Sequence, residues 1–453
     1  MNITTLEAQQ HALTAVAARL NHACRERRLQ SLQRIVDNDE LGISTTVAGD
    51  EVNNHVHTTF SFSPYSPSCA AFMARFCGLQ AVGSVDHDSI GAAREMTEAC
   101  RILSLGATVG YELRVHFSGT ALEGRKLNNP DSVNIGYIVI HGVPAPAIDT
   151  VSRFLEPIQA ARNERNRRQV AALNTLLQRY AIEPIDFDCE VLAISQAAEG
   201  GAVTERHILY ALAGRVLGLE DGEYPVSVLL QRIFAVEVPQ RLAQLIDDPQ
   251  NPHRGYDLLG VLKSSFLPQF FIQPDHDECI AVREAVQFAI SIGAIPCYAY
   301  LGDVEQSPTG DKKAERFEDG FLDTLFPEIR RIGFLGVTYM PPRNTRGQLM
   351  RIRALCRQHQ FMEISGVDIN SSRQLFTCPE IMRPEFRHLI ENTWALIAHE
   401  RLASIDPEYG LFHPANRWAS QQLEQRLARY ARFGEQMDAG RPESIAAIAG
   451  RQG

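Results

Sequence analysis

The hydrophobic pattern of this chain predicts an α/β fold. Short apolar runs alternate with longer stretches of helical period from residue 81 onwards. Such alternation builds a parallel sheet with helices on its faces. The chain has 453 residues, 45% hydrophobic and 22% charged, which is ordinary for a globular protein and leaves room for a large buried core.

The elements follow in chain order. Residues 5–37 read as helix, with Leu13, Val16, Leu20, Leu29, Leu32 and Ile35 spaced on one apolar stripe. Residues 38–52 form a turn-rich connector. Strands are predicted at 81–85, 107–113, 135–141, 294–299, 336–340 and 362–367. Helices are predicted at 89–103, 281–292, 321–332 and 348–359. Residues 148–275 are mostly helical and begin with an Arg-rich helix at 148–180; they read as an insertion. A polar loop runs from Gln306 to Gly320, and beyond Phe386 the chain is helical again.

Composition excludes several classes. A net charge of −10 argues against bulk attraction to nucleic acid or anionic membrane. The nine cysteines are scattered without a C-x-x-C pair, the usage of a reducing compartment. The start, Met-Asn-Ile-Thr-Thr-Leu-Glu, has no basic region followed by an apolar one. The longest apolar stretch, 285–301, is interrupted by Gln287 and Pro296 and is too broken to span a bilayer. A cytoplasmic protein without membrane attachment is expected.

Three segments offer chemistry. His55-Val56-His57 would present two imidazoles on one side of a strand, a pairing that suits Zn²⁺, Mn²⁺ or Fe²⁺, or else two exposed histidines near a loop. The apolar run 82–85 ends in Asp86-His87-Asp88 before a helix. His87 could ligate there, while Asp88 or Ser89 could serve as a helix cap. Gly110-Tyr111-Glu112 closes an apolar strand with a carboxylate, a metal ligand or a surface residue.

Their order, H-x-H, then D-H-D about 30 residues on, then G-x-E about 25 further, resembles the opening of the polymerase-and-histidinol-phosphatase family. The helix around Arg162 to Arg168, followed by Thr204-Glu205-Arg206-His207-Ile208, is similar to the helical insert of that family's nucleotide phosphatase branch. Residues 333–340, the helix to His359 and Ile364 to Asn370 match its closing strand–helix–strand. The resemblance covers about residues 50–372. It implies a distorted (β/α)7-type TIM-like barrel at 51–147 and 276–380. The helical insertion at 148–275 would cap it, and helical extensions at 1–50 and 381–453 would flank it.

The resemblance also implies a metal centre. His55, His57, Glu112 and Asp368 would hold one divalent Zn, Mn or Fe, with His87 as a further ligand or acid. Arg206 and His207 would hold phosphate, and Tyr300 would orient the substrate. The expected activity is phosphomonoester hydrolysis of a small phosphorylated metabolite or nucleotide by a metal-activated water. The chain departs from the pattern at Phe62, Asn134, Tyr300 and Asn370, where the family has metal ligands. One well-formed site is therefore expected, with His116 and His141 as candidate substitutes. The alternative is a catalytically degenerate binding or protein-interaction module, with the terminal helices as a homo-oligomer or partner interface.

Lesser signals read as structural. Asp275 to Glu278 are expected as caps and dipole partners of the next helix. Thr345 and Gln348 form a capping box. Arg162 to Arg168 are a solvated face or a phosphate-attracting cap.

Overall fold

Seven strands form one sheet in sequence order: β1 (Val52–Val56), β2 (Ala81–His87), β3 (Gly106–His116), β4 (Ile135–His141), β5 (Ile295–Tyr300), β6 (Gly336–Tyr339) and β7 (Met362–Ser365). The computed structural model describes residues 3–46, 48–129, 132–220, 222–303 and 318–451. Most of the polar loop at 306–320 lies outside these. The sheet curls until its ends meet. Val56 bridges Ile369 just past β7, with His57 N donating to Ile369 O at 2.9 Å and Ile369 N to His55 O at 3.1 Å.

Two asparagines complete the seam where the ladder is short. Asn53 Oδ1 accepts from Val367 N and its Nδ2 donates to Val367 O. Asn54 Nδ2 donates to Ser365 O. This gives the expected distorted TIM-like barrel. One direction differs from a purely parallel sheet: β4 is antiparallel to both β3 and β5. The described residues between 117 and 134 contain no helix to carry the chain back across the sheet, and β4 returns alongside β3 as the second arm of a hairpin.

Helices α1 (Ile3–Leu20) and α2 (Arg25–Asp37) replace the single helix expected at 5–37. The break falls at Asn21, whose side chain is taken by Pro64 O and Ser66 N. Both helices pack on α3 (Pro67–Phe76) and α4 (Ala93–Ile102) around Leu20, Leu32, Ile35, Phe72 and Met96. Helix α4 starts four residues later than expected, capped by neither Asp88 nor Ser89. Asp88 adopts φ +48°, and the Ser89 hydroxyl donates to Gly200 O.

The insertion has its own core. The long α5 (Ile148–Gln178) is followed by α6 (Glu205–Leu217), α7 (Val226–Phe234), α8 (Gln240–Ile246), α9 (Arg254–Ser265) and α10 (Leu267–Phe270). Leu173, Leu177, Leu209, Leu212, Leu230 and Leu262 meet inside it. Then α11 (Val282–Ser291), α12 (Leu322–Ile332) and α13 (Arg346–His359) alternate with the closing strands, α13 beginning with the expected Thr345–Gln348 capping box. Beyond them α14 (His388–Ile405), α15 (Leu423–Gln436) and α16 (Ile445–Arg451) bury Leu389, Leu396, Ile397, Tyr430 and Phe433 in the same core as the barrel strands. The nine cysteines are all free. No helix among the described residues is long and apolar enough to cross a membrane.

Candidate metal centre

Parallel barrels expose functional side chains at the C-terminal ends of their strands, and five titratable groups converge there. His55 and His57 come from the end of β1, His87 from β2, Glu112 from β3, and Asp368 from the segment after β7. The pairing of β1 with β2 slips between Asn53 and Val56, an irregularity that re-aims the two imidazoles. Their rings sit edge to face at 5.2 Å, and His57 stacks on His87 at 4.6 Å.

The ligand atoms form two overlapping triads, each within 4.8 Å: His55, His57 and Asp368, and His57, His87 and Glu112. His57 Nε2 lies 3.2 Å from Asp368 Oδ1 and 3.7 Å from Glu112 Oε2. His87 Nδ1 lies 3.1 Å from Glu112 Oε2, and His55 Nε2 lies 3.9 Å from it. Each triad, two imidazoles and one carboxylate, is a donor set of the kind that takes a divalent ion of the Zn, Mn or Fe type.

The electrostatics are those of a buried polar cluster. Burial lowers His55 to about 4 and holds His87 well below its usual range. Burial also opposes charge on His57, but Asp368 and Glu112 outweigh it and raise His57. Burial raises Glu112 to about 8. Burial works against ionised Asp368 too, yet neighbouring His57, with His55 and His87, keeps it well below the carboxylate range.

The site forms the floor of a cavity of about 240 Å³. Arg114, Arg162, Arg206 and Lys263 stand in its wall, with Tyr300 and Asn370 opposite. Behind the wall three arginines meet three carboxylates. Arg162 pairs with Asp88 and, at 3.2 Å, with Glu205. Arg114 reaches Glu278 at 2.9 Å. Arg165 reaches Glu205 at 2.6 Å and also binds Glu278. This network joins the insertion to the ends of β2 and β3.

Several expected roles change. His207 does not line the cavity: it is buried, its Nδ1 accepts from Thr204 N at 3.0 Å to close a capping box, and burial lowers it to about 3. Arg206 does line it, its guanidinium 5.4 Å from the Phe62 ring. Phe62, at φ +79°, turns away from the metal ligands into the insertion core against His207, Tyr210 and Tyr256. Asn134 stays in the loop before β4, accepting from Gly124 N. Tyr300 donates its hydroxyl to Asp319 at 2.5 Å, and Asn370 Nδ2 donates to Asp368 Oδ1 at 2.7 Å. His116 pairs with His276 at 4.5 Å, and neither it nor buried His141 joins the ligand groups among the described residues. Glu278 is no helix cap, because its carboxylate is buried among the arginines.

Sequence reasoning passed over Arg114, Glu205 and Asp86. Arg114 follows Glu112 by two residues on one strand, so the period of two already places both on one face. Asp86 gave no signal of its own. Its neighbours are defined by the loop after β1.

No family model matches the chain, and no curated protein matches it. Solved structures resemble it, two of them over about three quarters of the chain. One is a provisionally named metal-dependent phosphoesterase from Bifidobacterium adolescentis, 19% identical, covering 73% of this chain and 94% of that one, with a TM-score of 0.47. The other is an amidohydrolase from Chromobacterium violaceum with bound sulfate and no metal, 16% identical, covering 75% and 95%, also at 0.47. Neither likeness reaches the level at which a family assignment follows.

Proposed function

We propose that this chain is a metal-dependent hydrolase, and within that class a phosphomonoesterase for a small phosphorylated metabolite or nucleotide. One observation carries the reading: His55, His87, Glu112 and Asp368, gathered around buried His57, floor a cavity whose wall holds Arg114, Arg162, Arg206 and Lys263. His55, His57, Glu112 and Asp368 would hold one divalent ion. When bound, such an ion lowers the pKa of a water and polarises a phosphoryl oxygen.

The chain's own groups supply the rest. Arg206 lines the cavity with the kind of guanidinium fork that matches phosphate oxygens, and Arg162, held by Asp88 and Glu205, adds positive charge to the wall. His87, held neutral by burial, is suited to accept a proton at the nitrogen not turned to Glu112. Tyr300, already tied to Asp319, orients substrate with its ring and its remaining lone pair. His207 acts behind the wall by fixing the first turn of α6 that carries Arg206.

A binding module without catalysis is the second reading. Phe62 and Asn134 point away from the cavity, and Asn370 is tied to Asp368, so further metal positions lack a carboxylate and their imidazoles. Elemental analysis of protein purified without chelator or His-tag tests both. About one Zn, Mn or Fe per chain, lost in His55→Ala, with phosphate release from a phosphomonoester panel, is the expected result. Metal without any turnover favours the binding module. No metal after soaking in each ion defeats the hydrolase reading.

A further inference from the structure

Asp86 is 1% exposed and lies on the face of β2 opposite His87, so it cannot reach the cavity. It nevertheless controls the loop that follows β1. Thr58 N donates to its Oδ1 at 2.6 Å and Thr58 Oγ1 to its Oδ2 at 2.7 Å. Ser61 Oγ lies 2.6 Å from Oδ1 and, on its other side, 3.2 Å from His57 Nδ1. Ser61 is itself 1% exposed and His57 likewise.

The proton count decides the direction of this chain. A serine hydroxyl has one hydrogen to give. If Ser61 gave it to His57, its lone pairs would face the Asp86 carboxylate at 2.6 Å, acceptor against acceptor. The shorter, charge-assisted contact is with Asp86, so the hydrogen goes there. The lone pair left on Ser61 can then only accept, and the hydrogen that it accepts is the one on His57 Nδ1. A proton fixed on Nδ1 leaves Nε2, the nitrogen turned to Asp368 and Glu112, for the ion.

We propose that Ser61 and Asp86 are positioning residues that hold the hydrogen on His57 Nδ1 and so present Nε2 to a divalent metal. The inference rests on the metal-centre reading above and assigns the two residues that prepare its shared ligand. Partners of this kind orient ligating histidines and raise their affinity, and their loss typically costs 10–100-fold in binding.

The test uses the full chain, freed of metal and labelled with ¹⁵N at histidine, as wild type, Ser61→Ala, Ser61→Thr and Asp86→Asn. Zn²⁺ affinity is measured by competition with a chelating dye. Nitrogen-detected NMR on the metal-free protein reports whether His57 Nδ1 carries a solvent-protected hydrogen, the signal being assigned by its loss in His57→Gln. The expected result is a protected Nδ1–H in wild type, lost in Ser61→Ala together with about 10–100-fold in Zn²⁺ affinity. Ser61→Thr, which keeps the hydroxyl, restores both, and Asp86→Asn falls between. Thermal melting confirms that each variant is folded. A His57 Nδ1 without hydrogen in wild type overturns the proposal, as does unchanged Zn²⁺ affinity in Ser61→Ala. If wild type binds no metal while its Nδ1–H is protected and Ser61-dependent, the relay stands and the metal reading alone fails.

Discussion

Gly366 shows how a single missing carbon shapes the site. It lies where the end of β7 crosses closest to β1, and a Cβ there would stand 2.6 Å from the His55 nitrogen. The barrel seam and the first imidazole would both have to shift. Gly366→Ala is expected to destabilise the fold by about 1–3 kcal/mol, the usual cost of overpacking, and to weaken metal binding. Urea unfolding followed in chelator measures the first effect, and Zn²⁺ titration of the folded fraction the second. A variant of wild-type stability would show that the seam is looser than this geometry requires.

Elements meet through buried charge as well as through apolar contact. Arg165, on α5, is 1% exposed and binds Glu278 and Glu205. Arg165→Met keeps much of the volume and removes the charge, leaving two carboxylates to share Arg114 and Arg162. The expected loss is about 3 kcal/mol, since stranding a buried carboxylate costs more than the intact pair stabilises. Urea midpoints measure it.

A second buried carboxylate, Glu400 on α14, plugs the opposite end of the barrel. It accepts from Val109 N at 2.8 Å, and burial raises it to about 7 against its ordinary 4.5, despite Arg401 at 3.5 Å. Between pH 4.5 and 7 the unfolded chain releases a proton that the folded chain keeps. Stability therefore falls as pH rises through that window and levels off above it. Glu400→Gln keeps an acceptor for Val109 and should make this fall shallower, gaining on the order of 1–3 kcal/mol at pH 8 relative to wild type. Equal pH slopes in the two proteins would refute the assignment.

Across the whole molecule, three of the candidate ligands come from the two edges of the sheet that the barrel brings together. His55 and His57 lie at the end of β1, Asp368 follows β7, and among the described residues the main-chain link between these segments is the short bridge at Val56 and Ile369. A bound ion would staple that seam. Zn²⁺ at about 100 times its dissociation constant should raise unfolding stability by about 2.7 kcal/mol. Chelator should reverse the gain, and Asp368→Ala should show none of it. Differential scanning calorimetry with and without the ion makes the comparison, and an unmoved transition in wild type would place the ion elsewhere.

Much of this was legible in the chain. Periodicity located β2 to β7 and most of the barrel helices, because strands buried on both faces stand out as apolar runs between polar helix faces, but it missed β1, whose centre is Asn-Asn-His, and α3. The H-x-H, D-H-D and G-x-E segments stood at predicted strand ends, where barrels carry functional groups, but it was the family resemblance that joined His55, His57, His87, Glu112 and Asp368 into one set. What sequence could not decide was direction and depth. The hairpin that reverses β4 depends on a loop without a helix, and the outward turn of Phe62 depends on a positive φ and an apolar insertion core waiting for its ring. His207 looked like a ligand for phosphate and is a cap, because the same imidazole serves either purpose and only its neighbours choose. Asp86, Arg114 and Glu278 owe their roles to partners 25 to 164 positions away in the chain, contacts that exist only once the barrel has closed and the insertion has docked on it.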